Sequence, residues 1–146
     1  VSLELPFTLP LRSVSRRGVV PLKIGGKIDR IDQLENGIIE IMDYKTGATI
    51  PTQKEVDNNL QLSFYALAAQ NIPTELLGKK PDKIKLSLYF LDSQEKITTT
   101  RTKEDLEKAA EEIFKVRDEI EKSKFKCSNH IFCQKKCEYS LFCKSD

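Results

Sequence analysis

Apolar and polar residues alternate from the first position. Val1, Leu3, Leu5, Phe7 and Leu9 are separated by Ser2, Glu4, Pro6 and Thr8, the period of a strand with one buried face. Pro6 has no N–H to give to a ladder, which places this strand at a sheet edge or a bulge. Leu11 to Gly18 then reads as a turn carrying Arg12, Arg16 and Arg17; a solvated loop is the plain reading and phosphate contact beside a site the sharper one. Val19 to Asp32 reads as a second strand, and Gly25-Gly26 within it marks a bend or a close backbone approach just before Asp29. Asn36-Gly37 separates it from a third β-rich run, Ile38 to Lys45, and Asn-Gly is a strong hairpin signal because both residues tolerate positive φ.

The period changes after Gly47. Thr52-Gln53-Lys54-Glu55 has the form of a capping box, so the pattern predicts one helix from about Gln53 to Gln70 with Val56, Leu60, Phe64 and Leu67 on its apolar stripe. Asn58, Gln61 and Tyr65 form a polar line on the same helix, and taken alone such a line is ordinary helix surface. Pro73 and Gly78 to Pro81 mark a loop, Ile84 to Phe90 alternates as a fourth strand, and Lys96 to Arg101 reads as a fifth. Thr102 caps a long final helix whose stripe runs through Leu106, Ala109, Ala110, Ile113, Val116 and Ile120, with Glu and Lys on its solvated face.

The hairpin has a chemical consequence. With a three-residue connection, Glu35-Asn36-Gly37, and Gly37 left-handed, Leu34 pairs with Ile38, and the register carries Asp29 directly opposite Asp43. Facing carboxylates repel unless something positive lies between them, and a divalent metal is the natural candidate. Lys45 lies two residues beyond Asp43 and therefore on the same face of the strand, so Asp29, Asp43 and Lys45 converge.

Composition narrows the class only a little. The 146 residues suffice for one domain with its own core, and 24 basic against 22 acidic side chains give a net charge of +2, which neither demands nor excludes a nucleic-acid partner. No apolar run approaches the length of a membrane span and the start lacks signal-peptide architecture, so the expectation is a soluble, cytoplasmic protein with no membrane partner. A start at Val1 inside a strand pattern suggests a piece of a longer chain. The four cysteines, Cys127, Cys133, Cys137 and Cys143, all fall near the end, and in an intracellular protein such clustering reads as metal ligation rather than disulfides. Their C-x5-C-x3-C-x5-C spacing lacks the C-x2-C knuckle of a common zinc site, and thiolates suit iron–sulfur clusters and zinc alike. His130, the single histidine, reads as a surface residue of that segment.

GKIDRID followed by MDYKTG resembles the motif pair of the PD-(D/E)XK nuclease superfamily, in its RecB-like branch of helicase-associated and CRISPR-associated nuclease domains. The resemblance maps the family's first aspartate and its D-x-K trio onto Asp29, Asp43 and Lys45, and its Q-L-x-x-Y motif onto Gln61 to Tyr65. It implies an α/β fold: a restriction-endonuclease-like core with a central mixed β-sheet flanked by helices, over residues 1–125, and a short cysteine-rich C-terminal segment, 126–146. It also implies a DNA phosphodiesterase using Mg²⁺ or Mn²⁺ held by Asp29, Asp43 and the Tyr44 carbonyl, with Gln61 and Tyr65 at the DNA backbone or steadying the metal site. Lys45, an ammonium beside two carboxylates, takes an electrostatic role before a base role.

Exonuclease action is the expectation over endonuclease, within a DNA repair or recombination protein that has a helicase in cis or in trans. The cysteine tail resembles the end of relatives that carry a [4Fe-4S] cluster, matched by Cys133, Cys137 and Cys143, with Cys127 or an upstream residue as fourth ligand and zinc as the alternative metal. Relatives also use a histidine or glutamate from a helix before the first strand; without that helix the fragment is expected to be weakly active. The competing expectation is a nuclease-like module that binds DNA or a protein without cutting.

Overall fold

The computed structural model describes residues 1–15, 18–47 and 49–122. Arg16, Arg17, His130 and the four cysteines, with the iron–sulfur and zinc expectations attached to them, lie outside the described residues. The chain divides into two compact units, Val1–Glu112 and Ile113–Asp146, and the sheet and its helices belong to the first. In the second, residues 113–121 are helical, and the Arg117 guanidinium lies 5.2 Å from the centre of the Phe114 ring.

Five strands form one sheet in the order of the chain: β1 (Ser2–Ser15), β2 (Gly18–Gln33), β3 (Ile39–Lys45), β4 (Ile84–Phe90) and β5 (Glu95–Thr99). Pairing is antiparallel except between β3 and β4, so the sheet is mixed, as expected. Parallel neighbours need a long crossover, and α1 (Gln53–Asp57) and α2 (Leu60–Asn71) supply it; α3 (Lys103–Glu121) follows β5. Buried side chains from β3 and β4 (Ile39, Ile41, Ile84, Leu86, Leu88, Phe90) make the core with those of α2. Among the described residues no helix is long and apolar enough to cross a membrane.

Two expectations are corrected. The first strand does not end at Leu9: its ladder with β2 continues to Ser15 opposite Gly18, because Leu11 extends the buried line of Phe7 and Leu9 and the backbone stays paired. Residues 11–15 are therefore strand rather than arginine-rich turn. The helix expected from Gln53 to Gln70 is two helices. The capping box forms, with Thr52 Oγ1 accepting from Glu55 N–H and Glu55 reaching back to Thr52 N–H, but Asn59 starts a second helix by accepting the Leu62 N–H (3.0 Å) on its side chain. Asn58 falls in the break and leaves the line of Gln61 and Tyr65, and Leu60 is exposed instead of joining the apolar stripe. α2 is a core helix: Leu62, Ser63 and Tyr65 to Ala69 are all buried.

The hairpin register is the expected one, with Arg30 opposite Met42, Ile31 opposite Ile41 and Gln33 opposite Ile39. Asn36 (φ 58°) and Gly37 (φ 72°) both take left-handed conformations within a 3₁₀ turn, Glu35–Gly37. One position short of the Arg30–Met42 pair the ladder changes. β1 pairs with β2 on both sides of Glu4 and Asp29 (Leu3 with Arg30, Leu5 with Ile28) but not at them, and Glu4 has φ 50°. Ile28 and Ile31 are both buried although three positions apart, so strict alternation fails between them. The strand re-aims its side chains at Asp29, as bulges beside sites do.

Close backbone approach at Gly26 supports this turn. The Phe7 ring lies across Gly26 and packs on Phe64 (centroids 5.3 Å) and edge-on against Tyr65 (6.3 Å). A Cβ at Gly26 would sit 2.6 Å from Phe7 Cζ and 3.1 Å from Phe64 Cε1, whereas one at Gly25 would meet nothing nearer than 3.9 Å. Gly26→Ala is therefore expected to lose about 1–3 kcal/mol by overpacking while Gly25→Ala stays within about 0.5 kcal/mol, in urea unfolding of the two variants beside wild type. Equal losses would mean that Phe7 is free to move aside.

Candidate active site

Asp43 is the centre of a polar cluster in an apolar setting. It follows Ile39 and Ile41 on the same face of β3 and is itself only 3 % exposed. Burying a carboxylate is costly unless donors meet it, and here they come from two elements. Oδ1 accepts from Gln61 Nε2 (3.0 Å) and from the Tyr65 hydroxyl (3.1 Å), both on α2. Oδ2 lies 2.7 Å from Lys45 Nζ, yet this buried oxygen has no donor at hydrogen-bond geometry, so its neighbour is ionic only.

The other contacts orient these groups. Lys45 Nζ donates to Gln61 Oε1 (2.8 Å), which turns the Gln61 amide so that its Nε2 faces Asp43 and the Tyr65 oxygen (2.9 Å). Lys45, Gln61, Tyr65 and Asp43 thus close a ring in which every donor direction is determined. The i,i+4 spacing of Gln61 and Tyr65 puts both on the side of α2 that faces β3. Lys45 is half-buried, its side chain about one-third exposed, and Gln61 is the exposed member.

Asp29 enters from β2. Its Oδ2 accepts the Tyr44 N–H (3.0 Å), a backbone group that would face β2 in a regular ladder and that the break at Asp29 leaves free. In a strand the N–H and C=O of one residue point to the same edge, so the Tyr44 carbonyl faces β2 as well. Asp29 and Asp43 both act on the Tyr65 hydroxyl, so the two carboxylates lie within electrostatic reach of one group. The structure therefore brings together all the expected residues of the core: Asp29, Asp43, Tyr44, Lys45, Gln61 and Tyr65.

The far face of the sheet holds Tyr44 from behind, through residues that the motif reading passed over. Arg30 donates to both oxygens of Asp32 (2.9 Å each) and reaches the Tyr44 hydroxyl (3.4 Å), while the Tyr44 ring packs edge-on against Tyr89 (5.9 Å). The hydrogen bonds to Asp32 and Tyr44 raise the pKa of Arg30 further above its ordinary value. The hairpin register contained this signal, since it sets Arg30 opposite Met42 and diagonal to Tyr44. On the same face Glu40 is buried; burial pushes its pKa up, but the Ser87 hydroxyl (2.6 Å) and the Lys96 and Lys85 ammoniums outweigh that and hold it below the usual carboxylate range.

Asp43 Oδ2, buried without a hydrogen bond, the Asp29 carboxylate and the Tyr44 carbonyl form a set of hard oxygen donors that fits Mg²⁺ or Mn²⁺. Among the described residues there is no group of three or more His, Cys, Asp or Glu able to hold a metal, so a cation here would rely on two carboxylates, a carbonyl and water.

The family model of the PD-(D/E)XK nuclease superfamily matches residues 1–144 of the chain. Among solved structures, the crystal structure of SSO0001 is similar at 15 % identity and a TM-score of 0.56 over 97 % of this chain. That likeness concerns the fold, and this chain spans 59 % of the other's length. No curated protein matches the sequence.

Burial, and then the charge of Asp43, push the Tyr65 phenol up to about 12 from 10.0, against a lowering by the bond from Gln61. The folded state therefore holds this proton longer than the unfolded chain. Its contribution to stability is complete below pH 10 and is lost as pH rises through about 12. Unfolding free energies measured in urea from pH 8 to 11.5 are expected to fall more steeply for wild type than for Tyr65→Phe. Parallel curves would show that the hydroxyl is not held against Asp43.

Proposed function

The chain belongs to the PD-(D/E)XK nuclease superfamily, and from that premise we propose that it is a metal-dependent deoxyribonuclease domain of the RecB-like branch, hydrolysing DNA phosphodiester bonds. One observation carries the reading: Asp43, Lys45, Gln61 and Tyr65, from two separate elements, close a hydrogen-bonded ring whose buried carboxylate keeps one oxygen without a donor. Burying a carboxylate on a core strand is costly even when donors and an ammonium meet it, so the arrangement suits chemistry better than stability.

Asp29, Asp43 and the carbonyl of Tyr44 would hold Mg²⁺ or Mn²⁺. When bound, such a cation neutralises phosphate charge and lowers the pKa of water at the site. The chain's own groups do the rest. Lys45 presents its ammonium at the solvent edge of the ring, where it can bind a phosphate oxygen and stabilise the charge that grows there as the phosphodiester is attacked. Gln61 fixes Lys45 by accepting a hydrogen bond from its ammonium and fixes Asp43 by donating one, so that neither has to reorganise when substrate arrives. Tyr65, buried behind Asp43, gives Oδ1 one of its two donors and so helps to fix the orientation of that carboxylate. Arg30 and Tyr89 brace Tyr44, and with it the backbone between the two acidic residues. Exonuclease action, and a place in a larger helicase-nuclease of repair or recombination, complete the proposal.

Linear single- and double-stranded DNA incubated with Mg²⁺ or Mn²⁺ is expected to be degraded by wild type. Asp43→Ala and Lys45→Ala should lose at least about 100-fold in rate, and Gln61→Ala about 10-fold or more. Binding of DNA with no cutting at any concentration of either metal would replace the enzyme by a nuclease-like binding module.

A further inference from the structure

The break between α1 and α2 lies where the sequence alone predicts continuous helix, and a residue from beyond β5 is fastened to it. Arg101 is 5 % exposed. Its Nε donates to Ser63 Oγ (2.7 Å), Nη1 to Thr99 Oγ1 and the Thr100 carbonyl (2.9 Å each), and Nη2 to the carbonyls of Val56 (3.0 Å) and Asn59 (3.2 Å). All five N–H groups go to neutral oxygens; Asp105 and Asp57 favour the charge from a distance, but burial outweighs them and lowers the pKa. A buried cation is costly, so its contacts show what the fold obtains from it.

Three of those contacts land on the break. In an unbroken helix the Val56 carbonyl would accept from the Leu60 N–H; here Arg101 and the Asn59 N–H (3.2 Å) take it. The Asn59 carbonyl and Ser63 Oγ belong to the first turn of α2, and Ser63 Oγ also donates to that carbonyl (3.1 Å). The same turn carries Gln61, and the next carries Tyr65. Residues with non-helical dihedrals between two helices change both the axis and the phase of the second one, and therefore which side chains it turns toward β3.

We propose that Arg101 is a positioning residue for the active site: by holding the Val56 and Asn59 carbonyls it maintains the α1–α2 break, and the break sets the rotation of α2 at which Gln61 and Tyr65 reach Asp43. Its kinetic consequence rests on the nuclease reading above; its structural consequence does not.

Arg101→Lys keeps the charge and loses the planar fork. Asn59→Ala reaches the same break by another route, with Arg101 intact, by removing the cap and favouring continuous helix. The first measurement is urea unfolding in double-mutant cycles that combine Tyr65→Phe with each variant. Tyr65→Phe should cost stability in wild type and little or nothing in either variant, because there the hydroxyl has already left Asp43. The second is DNA cleavage with Mn²⁺. Arg101→Lys should lose on the order of 100-fold in kcat with KM within about twofold, and combining it with Gln61→Ala should cost no more than the larger single loss.

Folded variants in which Tyr65→Phe costs as much stability as it does in wild type, or kinetic losses that multiply in the double variant, would overturn the proposal. Should Arg101→Lys fail to fold, Asn59→Ala carries both measurements. Should wild type cut no DNA, the nuclease reading falls, and the stability cycle alone decides the role of Arg101.

Discussion

A carboxylate buried near the middle of a sheet has to be met by donors, and the surroundings of Asp43 are arranged to meet it. The residue stands on a central strand in line with Ile39 and Ile41, where an aliphatic side chain would pack without difficulty. An acid there obliges α2 to present Gln61 and Tyr65 to it and obliges Lys45 to stay within ionic reach. α2 can oblige only if it starts late and at the right rotation, and that start coincides with the break that Arg101 clasps. The edge of the Phe7 ring, seated on Gly26, packs against Tyr65 from the other side.

The same groups that make the burial of Asp43 tolerable are those suited to act on a phosphodiester. Lys45 offsets the charge of Asp43 in the free protein and, on the proposed reading, offsets it in substrate; Gln61 and Tyr65 satisfy one oxygen of the carboxylate and Lys45 lies against the other. Stability and chemistry meet in one cluster. Gln61 and Tyr65 both donate to Oδ1, so removing either one leaves that oxygen a donor, whereas removing Lys45 takes the ammonium away from the buried Oδ2.

Asp29 shows how an irregularity serves placement. Regular pairing would have locked the Tyr44 N–H into the ladder, and unbroken alternation would have placed Ile28 and Ile31 on opposite faces. The left-handed residue at Glu4, opposite Asp29, interrupts both regularities at one point. On the reverse face the Arg30–Asp32 pair and Tyr89 keep the Tyr44 side chain still, so the backbone between the acidic residues is held from two directions.

The pattern of residues determined whatever depends on near neighbours along the chain. Asn36-Gly37 dictates a turn because few other residues adopt positive φ at little cost, and the turn dictates the register, which pairs the strands as far as Arg30 and Met42. The period-2 runs likewise contain the five strands, and the Thr52 capping box the start of α1. What could not be read there involves partners distant in sequence. Continuous helix and broken helix are nearly equal in local propensity around Asn58-Asn59, and a guanidinium arriving from beyond β5 accompanies the choice made. Tyr65 looks like helix surface until the sheet is placed against it, and the strand through Leu11 looks like loop until β2 is paired to it. Local backbone energetics settled the hairpin; only long-range packing decided where Asp29 would point and which way α2 would face.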